Sequence, residues 1–260
     1  MVQSSGNPSA ASSTGKYILY AVGEIVLVVV GILIALQINN WREAQRNNTW
    51  ETYYLNRIKE DLQNDLREYE VTSSHSKSRI YLGNLLLIEL GENYLEDYLG
   101  TLMGNQKRFV EQLEVDSLKL KALRLEQKIR SLAYSRSNTA RSFTYNELLT
   151  SGRFEILKDD LLRETISDYY WKVEDGSKLE EDLYSCLRDY IDYLKSENLA
   201  TYNPNMNSDF TELIQNKEQF KVVLKNLINE HIRVRTIQEN MLKSNAQKTL
   251  DLVEVYLESK

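Results

Sequence analysis

One cysteine, Cys186, rules out a disulfide framework as the source of stability. That thiol and two histidines, His75 and His231, leave almost nothing from which to build a zinc site, and no metal or cofactor is expected. Two prolines and 10 glycines in 260 residues exclude collagen-like and Pro/Gly-rich disordered chains. A basic excess is also missing. The net charge is −6, which argues against a nucleic-acid partner. The remaining glycines are isolated, so no phosphate-cradling loop is present, and neither histidine has HExxH-type spacing.

Long hydrophobic runs are absent too, with one exception. Residues 1–16 form a Ser/Ala/Gly/Pro/Asn-rich tail, expected to be disordered, whose only charged side chain is Lys16. Residues 17–38 then hold 18 apolar residues out of 22. At about 1.5 Å per residue such a helix reaches roughly 33 Å, enough to cross a hydrocarbon core of about 30 Å. Tyr17 and Tyr20 at one end and Trp41 at the other fit interfacial anchors. A cleaved signal peptide would have a shorter apolar run followed by small residues, and Leu36-Gln37-Ile38-Asn39-Asn40-Trp41 has no such pattern. The segment therefore reads as a single uncleaved transmembrane helix, with the bilayer as its first partner.

Glu24 sits within this span, where an acidic side chain near the centre costs roughly 2.5–3.5 kcal/mol. It shares a heptad-spaced stripe with Gly31 and Ala35, a small-xxx-small pair that permits close helix approach. Glu24, Gly31 and Ala35 are thus the candidate membrane helix contact, for self-association or for a membrane or envelope protein partner. The alternative is a snorkelling acid on a lipid-facing helix. Orientation is not set by charge, because Lys16 and the terminal amine are balanced by Arg42 and Arg46.

After residue 40 only Pro204 and six glycines interrupt the chain, so residues 39–260 are expected to be an all-α extramembrane bundle. Leu55, Ile58, Leu62, Leu66 and Tyr69 mark one apolar face of a helix continuing from the span as a stalk. The pattern weakens at Val71–Ser74 and resumes over Ile80–Leu99, until Gly100 and Gly104. Further helices are expected over Ser117–Tyr134, Thr144–Gly152, from Asp159 or Asp160, and from about Asn216 to the end. Asp175-Gly176 predicts a break or kink, and Leu199–Asn207 a loop. Thr144/Glu147 and Ser177/Glu180 match capping boxes.

Two blocks carry a resemblance. One is Lys16-Tyr17 with Gly23-Glu24-Ile25 through Asn39-Asn40-Trp41; the other is Thr144-Tyr145-Asn146-Glu147-Leu148-Leu149-Thr150-Ser151-Gly152, followed by Ile156. Together they resemble a bacterial family of single-span membrane proteins known only as a domain of unknown function. The resemblance implies an inner-membrane anchor, a helical C-terminal domain outside the cytoplasm, and Glu24 as part of the anchor's usual pattern. It implies no activity. The tail departs from the family, whose members tend to begin with several basic residues.

Candidates for chemistry are few. Cys186 lies at helix spacing among Glu180, Glu181, Asp182 and Asp189, the setting of a packing cysteine rather than a reactive thiolate. The two histidines read as solvated or capping, the acidic runs as solvated helix faces, and Tyr169, Tyr170, Tyr190 and Tyr193 as core. Arg136, Arg141 and Arg153 bracket the Thr144–Gly152 helix, which adds Tyr145, and form a candidate anion site. Against it, Glu147 would cap the same amides. The sequence thus points to a membrane-anchored, non-catalytic interaction protein; the alternative is a helical sensor of a small anion.

Overall fold

A computed structural model describes residues 11–93, 125–135, 140–197, 199 and 216–260. Among these every regular element is a helix. The expected loop over 200–207, Gly100 and Gly104, and Arg136 lie outside the described residues. The chain divides into two compact units, Met1–Tyr53 and Tyr54–Lys260.

In the first unit, helix α1 (Ala11–Glu89) begins before the apolar run. The tail expected to be disordered is therefore helical over 11–16. Once a long apolar helix exists, adding a residue costs no new nucleus, and no proline lies between Ala11 and Tyr17. Every residue from 17 to 38 is exposed, Tyr17 at 76% and Leu19 at 78%. The helix is long and apolar enough to cross a membrane. An apolar surface of this extent is unusual for a water-facing helix.

The second unit holds the remainder of α1, then α2 (Leu125–Leu132), α3 (Phe143–Thr150), α4 (Asp160–Ser196), α5 (Lys217–Ile237) and α6 (Ser244–Glu258). A single 3-10 turn, Phe154–Ile156, follows α3. Within the unit α4 packs along α5. Leu183, Leu187, Tyr190 and Leu194 of α4 meet Phe220, Leu224, Leu227 and Ile228 of α5, together with Ile80, Leu86 and Leu87 of α1. Each fully buried Leu or Ile contributes about 1.5–3 kcal/mol. The buried tyrosines also direct the chain. Tyr190 donates to the Ile129 carbonyl of α2 (3.0 Å), and Tyr193 donates to the Asn216 carbonyl at the start of α5 (2.8 Å).

Helix ends follow local chemistry. Asp159 accepts from the Leu162 amide (2.8 Å) and Asn216 from the Gln219 amide (3.1 Å), the N-caps of α4 and α5. Gly91 (φ +79°) and Gly152 (φ +65°) close α1 and α3. In each case the amide after the glycine returns five residues, Glu92 to Leu87 (2.8 Å) and Arg153 to Leu148 (3.1 Å), the Schellman arrangement. α1 thus stops well short of Leu99, where the apolar pattern had suggested.

Three expected interruptions do not occur. Val71–Ser74 stays helical, with Thr72 donating back to the Glu68 carbonyl (2.8 Å) and Ser73 bonded to Glu239. Asp175-Gly176 stays helical because Gly176 is a contact point rather than a hinge. A Cβ there would stand 3.1 Å from Leu242 Cδ1. Ser177 lies inside α4 and donates to the Glu174 carbonyl (2.7 Å), so Ser177/Glu180 caps nothing. The last helix, expected to be uniform, is divided by a π-helical turn, Gln238–Lys243. That turn carries both Leu242 and Glu239, and Glu239 pairs with Arg235 (3.0 Å) and Lys77 (3.3 Å).

Gly83 tests the α1–α5 contact. Alanine normally stabilises a helix interior by about 1 kcal/mol over glycine. A Cβ at Gly83, however, would stand 2.5 Å from Ile228 Cγ1 in the core. Overpacking costs about 1–3 kcal/mol, so Gly83→Ala is expected to lower the thermal midpoint measured by circular dichroism. A raised midpoint would show that the two helices separate there without cost.

Candidate functional site

Within the second unit, α1 presents Tyr54, Arg57, Asp61, Asp65 and Tyr69 at spacings of three and four, a polar stripe along one face. This stripe meets α3 and α4 through a polar network. At one end Glu147 of α3 accepts from the Tyr54 hydroxyl (2.9 Å) and from Arg57 Nη1 (2.7 Å). Arg153 Nη1 donates to the same Tyr54 oxygen (3.3 Å). The Arg57 hydrogen bond, helped by that of Tyr54, holds the Glu147 carboxyl below the usual carboxylate range. Arg57 also lies 5.9 Å from the centre of the Phe143 ring.

About two turns further along, Asp65 is fully buried. Its Oδ1 accepts from the Arg141 backbone amide (2.8 Å) and its Oδ2 from the Tyr169 hydroxyl (2.7 Å). Since Tyr169 spends its proton on Asp65, the Tyr69 hydroxyl must be the donor in the Tyr69–Tyr169 contact (3.1 Å). Burial pushes the Asp65 pKa from 3.8 up to about 6, against the downward pull of the Arg141 amide and Tyr169. The nearby Asp61 carboxylate pushes the same way as burial. Burial likewise raises the Tyr169 and Tyr170 hydroxyls well above their ordinary value of 10. Asp61 Oδ2 and the Tyr170 hydroxyl are both buried without a hydrogen-bond partner among the described residues.

Of the candidate anion residues, Arg141, Tyr145 and Arg153 lie among the described residues. Arg141 offers its main-chain amide to Asp65, Arg153 reaches Tyr54, and Tyr145 is stacked on Tyr170 with ring centres 4.5 Å apart. Arg136 lies outside the described residues. Glu147 is itself the anion seated on Arg57. The Thr144/Glu147 capping box is absent for the same reason: α3 starts at Phe143, Thr144 is buried, and Ser142 makes no side-chain cap. An open cleft of about 680 Å³ beside this network is lined by Arg57, Glu60, Asp61 and Arg141, whose charges balance.

His231 is another correction. It is not solvated but fully buried in α5, with neither ring nitrogen hydrogen-bonded among the described residues. Burial pulls its pKa from 6.5 down to about 3, and the positive Arg79 and neighbouring His75 act in the same direction. His75 meets Arg79 Nη2 (2.9 Å). Cys186 packs against the core, and burial, then Glu230 and Asp189, push its thiol pKa up. Tyr169, Tyr170, Tyr190 and Tyr193 are core residues. No group of three or more His, Cys, Asp or Glu residues among the described residues is placed to hold a metal. In the sequence the stripe is masked by the leucines beside it, which share its stride. Its signal was the three- and four-residue stride of Tyr54, Arg57, Asp61, Asp65 and Tyr69.

Residues 24–88 match the model of a family of unknown function (DUF6090). The match takes in the Glu24–Trp41 block and the stripe on α1, and the Thr144–Gly152 block falls outside it. No curated protein matches the chain, and no solved structure does.

The two buried titratable groups act oppositely with pH. Stability carried by neutral His231 is fully present above about pH 6.5 and is lost as pH falls toward about 3. Stability tied to protonated Asp65 is fully present below pH 3.8 and is lost as pH rises through about 6. Charging Asp65 therefore costs about 3 kcal/mol. Asp65→Asn is expected to gain stability relative to the parent as pH rises from 4 to 7, by up to about 3 kcal/mol in urea unfolding. A pH-independent difference would show that Asp65 is not the titrating group.

Proposed function

We propose that this chain is a membrane-tethered interaction protein without catalysis, anchored by residues 17–38 and self-associating through Glu24, Gly31 and Ala35. The observation that carries this reading is the unbroken exposure of the apolar helix in the first unit. Lipid accounts for most of that surface. It does not account for Glu24, whose carboxyl gains by hydrogen bonding to a second helix in a medium that offers no water. Gly31 is compatible with the same contact, since a position without a Cβ lets a second helix approach closely. In line with the resemblance, the membrane is a bacterial inner membrane and the helical domain lies on its periplasmic side. The extramembrane helices then serve as partner-binding surface.

The small-anion sensor is less well supported. An incoming anion would have to displace Glu147 from Arg57 and Tyr54, whose bonds to it are 2.7 and 2.9 Å.

In-membrane crosslinking from a photoreactive residue at position 28 should trap a homodimer of the full chain. Glu24→Leu is expected to reduce that product several-fold while the protein stays in the membrane fraction. Undiminished crosslinking would remove Glu24 from the contact, and crosslinks only to other proteins would replace self-association with a hetero-partner.

A further inference from the structure

A second cleft, of about 560 Å³, opens between α3, α4 and the π-helical turn. Its chemistry differs from that of the charge-balanced cleft beside Asp61. Three aromatic rings line it: half-buried Tyr145, buried Tyr170 and exposed Trp171. Two carboxylates, Glu174 and Glu180, line it as well, and no Lys, Arg or His does so among the described residues. Tyr170, Glu174 and Ser177 follow at spacings of four and three, which places rings and acid on one face of α4.

The walls are held in place. Tyr145 lies nearly parallel to Tyr170, 11° between planes, and Phe154 meets Tyr145 edge-on at 5.8 Å. Leu242 closes the floor against Gly176, and Gln238 of the π turn donates to Glu180 Oε1 (3.4 Å). The amide's own Oε1 is buried without a hydrogen-bond partner among the described residues. The Glu174 side chain makes no ion pair or hydrogen bond among the described residues, although its neighbours Asp168 and Asp175 each have a lysine.

We propose that this cleft binds a small organic ammonium ion, with the charge facing Glu174 and Glu180 and its carbon substituents against the rings and Leu242. Aromatic faces attract cations that are wrapped in apolar carbon, and the attraction strengthens where water is displaced. A bare metal ion suits the site poorly, since hard cations need several convergent oxygens and here two carboxylates are spread along a helix. An anion would meet the Glu174 carboxylate, which has no counter-charge among the described residues. The inference is independent of membrane anchoring and of self-association.

The test is calorimetric titration of the full chain, in a maltoside detergent free of ammonium groups, with choline and with its neutral isostere 3,3-dimethylbutanol. Choline is expected to bind saturably at one site per chain, at least tenfold more tightly than the isostere. Glu174→Gln and Trp171→Leu, both at exposed positions, should each weaken choline about tenfold or more with an unchanged thermal midpoint. Glycerophosphocholine separates the sources of the ligand: binding equal to that of choline assigns the site to a lipid headgroup, and weaker binding to a free ammonium. Absent choline binding, equal binding of the isostere, or full affinity in Glu174→Gln would each overturn the proposal.

Discussion

A carboxyl group removed from water needs donors on both oxygens, and Asp65 imposes that condition on the helices around it. The Arg141 amide satisfies one oxygen and the Tyr169 hydroxyl the other. These two donors come from the segment leading into α3 and from α4, so a single buried acid ties both to α1. Tyr69 then completes the chain by donating to Tyr169. Removing any one donor would leave a buried acceptor unsatisfied, at a cost of roughly 1–3 kcal/mol. Hydrophobic burial supplies most of the stability of the unit. The network decides which faces meet.

Glu147 extends the same logic toward the surface. It links Arg57, Tyr54 and, through Tyr54, Arg153, so a group of guanidinium side chains that might have received a ligand is occupied from within. In the aromatic cleft on the other side of Tyr145 and Tyr170, Glu174 has no such resident counter-ion among the described residues. The two clefts share Ser142 and Asn146 in their walls and yet have opposite character, one charge-balanced and the other acidic and aromatic. That contrast arises from which residues α1 and α4 bring to each side of α3.

Much of the helical content was legible in the residues. The N-caps at Asp159 and Asn216 and the stop at Gly152 rest on local chemistry, which a sequence displays directly. Most of the missed features depend on distant partners. Gly176 looked like a break because nothing nearby reveals that Leu242 occupies the space beside it. Thr144 and Glu147 looked like a capping pair because the competing partners, Tyr54 and Arg57, lie about ninety residues away. His231 looked solvated because α5 is rich in charged residues, whereas its own face of α5 packs into the core. Asp65 could not be recognised as buried without Tyr169 and Arg141.

By itself the sequence determined that this protein is helical, that one segment is apolar enough to span a bilayer, and that one acid, Glu24, interrupts that segment. Those properties follow from composition and period, which need only neighbouring residues. Tertiary structure alone decided that Glu147 neutralises Arg57, that Asp65 and His231 are buried, and that three rings and two acids share one cleft. Such properties depend on which faces meet across long separations, and burial or pairing of a charge changes its chemistry by several kcal/mol.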